Sequence, residues 1–180
     1  MLGRAFYDDP AMSWTFPNDR KRLRQAERFW AIRLKYMAPQ EQVYVTDDLS
    51  GVAAWTLPGR WHVSWRETGE LGRMMLGYRL PLLFTGLQRL EKAHPHNPHS
   101  FYLAVLGTDP AHQGKGIGTA LMAPVLELCE RDRVPAYLES SKERNIDFYA
   151  RFGFRVTEEV QLPNGPKMWP MWRDPVGAEL

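Results

Sequence analysis

The sequence predicts one α/β domain spanning residues 1–180, and three features carry that prediction. A strand–turn–strand hairpin reads between Gln42 and Leu57. A strongly apolar run at 101–106 leads through a glycine-rich turn into an amphipathic helix. The last third alternates strand, helix, strand, turn and strand. With 44% hydrophobic and 24% charged residues, the composition excludes a disordered or fibrous chain. A net charge of +2 suits a small phosphate-bearing ligand and gives no reason to expect nucleic acid or anionic lipid. Cys129 is the single cysteine, so no internal disulfide can form, and a reducing, cytoplasmic setting is expected. The first residues lack a signal-peptide core, and there is no run of 18 apolar residues, so no membrane association is expected.

From the N-terminus, Met1–Phe6 reads as a short helical piece broken at Asp8-Asp9-Pro10. Leu23, Ala26, Trp30, Ile32 and Leu34 recur near helical spacing between Asn18, a candidate N-cap, and Met37; Pro39 stops that helix. Asp47-Asp48-Leu49-Ser50-Gly51 forms the hairpin turn, and Pro58-Gly59 ends the second strand. Two helices are expected over 67–77 and 79–93, followed by the loop His94-Pro95-His96-Asn97-Pro98-His99. Gly107, near the end of the 101–106 strand, marks a bulge or a close backbone approach. Ile117, Leu121, Val125 and Leu128 define one buried stripe, and Pro124 should kink the helix that carries it. Pro135–Ser140 is a strand. Ser140-Ser141-Lys142-Glu143 fits a capping box for a helix over 143–152, closed by Gly153. Strands at 154–161 and 166–173 meet at Pro163-Asn164-Gly165-Pro166.

The segment Gln113-Gly114-Lys115-Gly116-Ile117-Gly118 carries the chemistry. Alternate glycines let several N–H groups converge at the positive end of a helix, which is a site for a pyrophosphate. Lys115 adds charge and Thr119 adds a hydroxyl. The spacing is neither GxxxxGK[ST] nor GxGxxG. A purely structural turn is the alternative. The three loop histidines have no strong ligand spacing, so a solvated loop and no metal are expected.

This glycine stretch resembles the (Arg/Gln)-x-x-Gly-x-(Gly/Ala) pyrophosphate loop of the GNAT acetyltransferase superfamily. ESSKERNIDFYARFGF, from Glu139 to Phe154, is similar to that superfamily's second signature. Within it, LGTDPAHQGKGIG, LPNGPKMW and the weaker AFYDDP resemble the puromycin-acetylating subfamily. The resemblance implies a central, mixed, mostly antiparallel twisted sheet flanked by helices. The usual first strand would be missing, leaving the strand at 42–47 as an open edge, which implies a homodimer or marginal stability. It implies acetyl-coenzyme A as donor and a primary amine of a small molecule as acceptor, attacking directly in a ternary complex. Leu106 and Thr108 would pair with the pantetheine arm, an N–H near Gly107 would face the thioester oxygen, and Asn145 would bind the same arm.

Tyr149 would sit beside the sulfur as general acid, since a phenol stays protonated at neutral pH. Glu139, at a strand end, would be the general base or would orient a water in that role, and would hold an ammonium group. Asp8, Asp9 and Trp14 would line the acceptor side, with Tyr44, Trp55 and Trp61 completing an aromatic wall. Each has a plain alternative: a core strand, a core aromatic, a strand-end carboxylate, a helix cap. An acyl-coenzyme A sensor without turnover is the competing function.

Overall fold

A computed structural model describes residues 1–40, 42–75, 80–96 and 99–176. In chain order these form α1 (Leu2–Ala5), α2 (Pro10–Thr15), α3 (Asp19–Met37), β1 (Val43–Val45), β2 (Gly51–Thr56), α4 (Trp65–Met74), α5 (Leu80–Ala93), β3 (Phe101–Thr108), α6 (Ile117–Asp132), β4 (Ala136–Ser140), α7 (Ile146–Ala150), β5 (Arg155–Val156), β6 (Val160–Gln161) and β7 (Lys167–Arg173). The sheet runs β1-β2-β3-β4-β7-β5, with β6 also on β7. Only β3 and β4 pair in parallel. This is the expected mixed, mostly antiparallel sheet. Among the described residues no strand precedes α3, and β1 lies at the sheet edge.

Helices cover both faces. On one, α6 and α7 pack against Ala53, Trp55, Phe101, Leu103, Ala136 and Leu138. On the other, α1–α3 bury Leu2, Met12, Phe16, Ala26 and Trp30 against Val52, Ala54 and Val105. Alternation along β2 is regular, but β3 carries one extra residue. Ala54 pairs with Val105 and Trp55 with Leu103, so Ala104 is left over as a β-bulge. Ala104 and Val105 consequently pack on the same face. Gly107 is not the bulge. It allows a close approach, since a Cβ there would lie 2.6 Å from Leu2 and 3.0 Å from Phe6.

Several expected boundaries move, each for a local reason. Asp9 does not merely break the chain: its carboxylate accepts from the N–H groups of Ala11 and Met12, and with Pro10 it starts α2. Ser64 caps α4 through the Glu67 N–H, so that helix begins at Trp65 rather than 67. The expected helix limits at 77 and 79, and loop residues 97 and 98, lie outside the described residues. On α3, Leu23 is exposed and Arg22 is buried, its Nε donating to the Phe16 carbonyl at 2.8 Å. Helix α6 continues through Pro124, and its deepest residues are Met122, Val125 and Cys129; Leu128 is only half-buried. The capping box at Ser140 does not form. Ser140 Oγ engages Lys142 instead, and a 3₁₀ turn over Glu143–Asn145 precedes the short α7. The strand expected over 154–161 splits into β5 and β6. Its partner Pro170 has no N–H to offer there, and Thr157 folds over the Pro170 carbonyl instead.

Candidate active site

β3 and β4 pair only from Phe101 to Leu103 and from Ala136 to Leu138. Beyond that, β3 stays on β2 as far as Thr108, and β4 stays on β7 as far as Ser140. The two strands therefore part, and a cleft opens in the middle of the sheet. The bulge decides what lines it. The Phe101 N–H donates to Pro135 at 3.0 Å, on the β4 side, whereas the Asp109 N–H donates to Ser50 at 2.8 Å, on the β2 side. After Ala104, then, Val105 and Gly107 turn their backbone groups to β2, while Leu106 and Thr108 turn theirs into the cleft. The Thr108 carbonyl is met by Gln113 Nε2 at 3.2 Å. The backbone of Gly107 faces β2, so the cleft-facing N–H groups are those of its two neighbours.

The glycine loop follows directly. The Asp109 carboxylate accepts from the Ala111 N–H at 3.1 Å and pairs with Arg4, which fixes the loop's start. Arg4 holds the Asp109 carboxyl below its ordinary range. Gly114 and Gly116 take φ of +77° and +81°, and a Cβ on either would meet nothing within 4 Å. Glycine is needed there for backbone conformation, not for space. Gly116 is the N-cap of α6 and brings no side chain, so the N–H groups of Ile117, Gly118 and Thr119 have no acceptor within the helix. They lie at the positive end of a 16-residue helix. Gln113, Lys115 and Thr119 are exposed, and Lys115 Nζ reaches the Ala111 carbonyl at 3.3 Å. Gly51 lets α6 settle on the sheet, since a Cβ there would be 2.4 Å from Ile117.

Glu139 lies one residue past the last β3–β4 pair, on the α1–α3 face. Its side chain is 10% exposed. Tyr102 donates to Oε2 at 2.6 Å, and His94 Nδ1 lies 3.8 Å from Oε1. His94 is buried rather than part of a solvated loop. Its ring stacks on Trp61 at 3.8 Å and meets Tyr137 and Tyr102 edge-on at 4.4 and 5.0 Å. Burial, then the Glu139 charge, raise both phenols well above their ordinary range. Sequence reasoning missed this cluster. Its one local signal was the end of an amphipathic helix at His94.

Tyr149 lies in the core of the other face, against Phe148 and Phe154. Burial raises its phenol, and the charge of Asp9 raises it further. Asp9 is itself buried and accepts a hydrogen bond from Ser141 just past β4. Asp9 and Tyr149 thus come together near the end of β4; Asp8 is exposed. Asn145, half-buried at the N-cap of α7, spends no side-chain bond on capping. The four aromatic residues do not form one wall. Trp55 is fully buried and Tyr44 packs against the same core. Trp61 stacks on His94. Trp14 donates to the Pro163 carbonyl at 3.0 Å and fills the space over Gly86 and Gly165.

A split sheet with a free strand edge runs into a glycine loop at a helix N-terminus, where unpaired backbone N–H groups favour an anion. The acetyltransferase (GNAT) domain family matches residues 85–174, half of the chain. The chain belongs to this family and is an N-acetyltransferase; the family takes its acetyl group from acetyl-coenzyme A. An uncharacterised N-acetyltransferase of Schizosaccharomyces pombe is 26% identical, over 93% of this chain and 73% of its own length. N-alpha-acetyltransferase 50 of Danio rerio is 35% identical over 51% of this chain and 55% of its own. Arylalkylamine N-acetyltransferase 2 of Aedes aegypti shares the fold, with a TM-score of 0.62 at 13% identity over 96% and 90% of the two chains. No helix among the described residues is long and apolar enough to cross a membrane.

Proposed function

We propose that the chain acetylates a primary amine on a small cationic molecule, puromycin-like acceptors included, by direct attack in a ternary complex. The observation that carries this reading is Glu139, a nearly buried carboxylate at the mouth of the cleft with three aromatic side chains around it. A buried carboxylate favours an ammonium partner, and aromatic faces favour a ring-bearing one.

The donor fits the residues present. Leu106 and Thr108 offer strand-like backbone groups to an amide-rich arm, and the N–H groups of residues 114–119 receive its pyrophosphate, with Lys115 adding charge. Asn145 faces the arm from α7. Acetyl-coenzyme A supplies an activated acyl carbon. Glu139 takes the ammonium proton and leaves a lone pair free to attack. Tyr149 donates toward the departing sulfur. Because burial and Asp9 make this phenol less acidic, it shares its proton with a developing thiolate rather than titrating. Base and acid then approach the cleft from opposite faces of the sheet, which keeps their charges apart.

Kinship with N-alpha-acetyltransferase 50 favours a second acceptor, the α-amine of a protein N-terminus. Release of free coenzyme A thiol, followed with puromycin, phenethylamine, spermidine and a Met-initiated tetrapeptide, separates the two acceptors. Tyr149→Phe is expected to lower kcat about 100-fold with acetyl-coenzyme A affinity unchanged. Equal losses in both would point to a binding protein, and turnover of the peptide alone would reject the small-molecule acceptor.

A further inference from the structure

Glu139 can act as a base repeatedly only if the proton it takes has somewhere to go. Three groups stand close to its nearly buried carboxylate. Tyr102 donates to Oε2 at 2.6 Å, the Tyr137 hydroxyl is buried nearby, and His94 Nδ1 lies 3.8 Å from Oε1. Both phenols are donors whose protons are held tightly by burial, so neither can accept one. The imidazole can.

Its setting is built. His94 closes the C-terminus of α5, where its N–H donates to the Leu90 carbonyl at 3.0 Å. A helix C-terminus favours positive charge. The ring is sandwiched between Trp61 on one side and the edges of Tyr102 and Tyr137 on the other, which fixes its plane. Among the described residues, Glu158 also acts on Tyr137 by its charge. His62 and His96 stack on or lean against Trp61, and Arg33 of α3, paired with Glu67 of α4, lies toward Tyr102.

We propose that His94 is the positioning residue for Glu139 and the exit for its proton; this rests on the reading of Glu139 as base. The N–H bond of the ammonium breaks as an O–H bond forms on Glu139 Oε1. Once the imidazole closes the 3.8 Å gap to hydrogen-bond distance, that O–H breaks as an N–H bond forms on His94 Nδ1, and the imidazolium gives up its Nε2 proton to solvent. One proton moves, and no oxidant or second reactant is needed. Tyr102 keeps the far carboxylate oxygen still while the near one exchanges.

Ring stacking and proton carrying are separated by His94→Phe, which keeps a flat ring against Trp61, and by His94→Ala, which leaves a gap of imidazole size. With the best acceptor among puromycin, phenethylamine, spermidine and the tetrapeptide, His94→Phe is expected to lower kcat at least about 10-fold. The KM for acetyl-coenzyme A and the melting temperature should change little. Added imidazole, but not pyrrole, should restore His94→Ala, with rescue rising as pH increases and more imidazole is neutral. In a Glu139→Gln background, His94→Phe should cost nothing further. A Glu139→Gln enzyme with full activity would reject the base assignment itself, as would absence of turnover with every amine. A crippled Glu139→Gln enzyme beside a fully active His94→Phe enzyme would reject the role of His94 alone. Equal rescue by pyrrole would reduce His94 to a packing ring.

Discussion

The two faces of the sheet are built from different materials. Under α6 and α7, the core is mostly apolar: Met122, Val125, Cys129, Leu138 and Met171 are all at most 1% exposed, and Arg173, paired with Glu130, is its buried charge at the edge. Under α1–α5, charges go inside. Arg33 and Glu67 pair at 2.5 Å with side chains 13% and 6% exposed, Asp9 bonds Ser141, and Glu139 sits among Tyr102, Tyr137 and His94. The first face packs the helices that flank the cleft. The second holds buried carboxylates against polar and aromatic partners. Apolar packing costs little, while buried charge is expensive and must be paired where it stands.

The comparison predicts its largest effect at Arg33. Arg33→Met strands Glu67 in the interior and should destabilise the fold by about 3–5 kcal/mol in urea unfolding. Adding Glu67→Leu should recover most of that loss, because an apolar pair replaces an ionic one. If the double variant were as unstable as the single, the polar face would be held by something other than charge pairing.

On the opposite face, Leu138→Ala should cost about 2–5 kcal/mol from the cavity alone, toward the lower end where neighbours relax. The loss should be the same at pH 6 and pH 8, since no charge is involved. A strong pH dependence would show that the two faces are coupled through β4.

The smallest effect is at Cys129, where burial pushes the thiol up to about 12. At pH 8 the native protein should resist iodoacetamide for hours and react only in denaturant, as followed by mass spectrometry. Rapid native labelling would mean that the apolar face opens locally.

Much of the first face was legible in the sequence because its signals are local. Gly114 and Gly116 stand beside the helix they open, and Leu121 and Val125 lie one turn apart on α6. The second face was not legible. Tyr102 and Glu139 are separated by 37 positions and are joined only by the short parallel pairing of β3 with β4. His94 looked like part of a loop because nothing near it in the chain shows that Trp61 will cover it. One misreading was avoidable in principle: Ser64-x-x-Glu67 is a helix-start pattern, as is Asp9-Pro10, whose capping role stood as the alternative. The bulge had no such signal, since alanine at 104 is neutral toward it.

That bulge has a consequence for how the chain can change length. Because Ala104 occupies a position with no partner on β2, the pairing of Val105–Thr108 does not need it. Deleting Ala104 itself would restore a regular ladder and leave the same backbone groups of Leu106 and Thr108 facing the cleft. Deleting a residue after Val105 while the bulge stays would swap the groups facing the cleft for those facing β2, together with every side chain after it. The bulge is therefore the one place in this stretch where a single residue can be lost without turning the strand over.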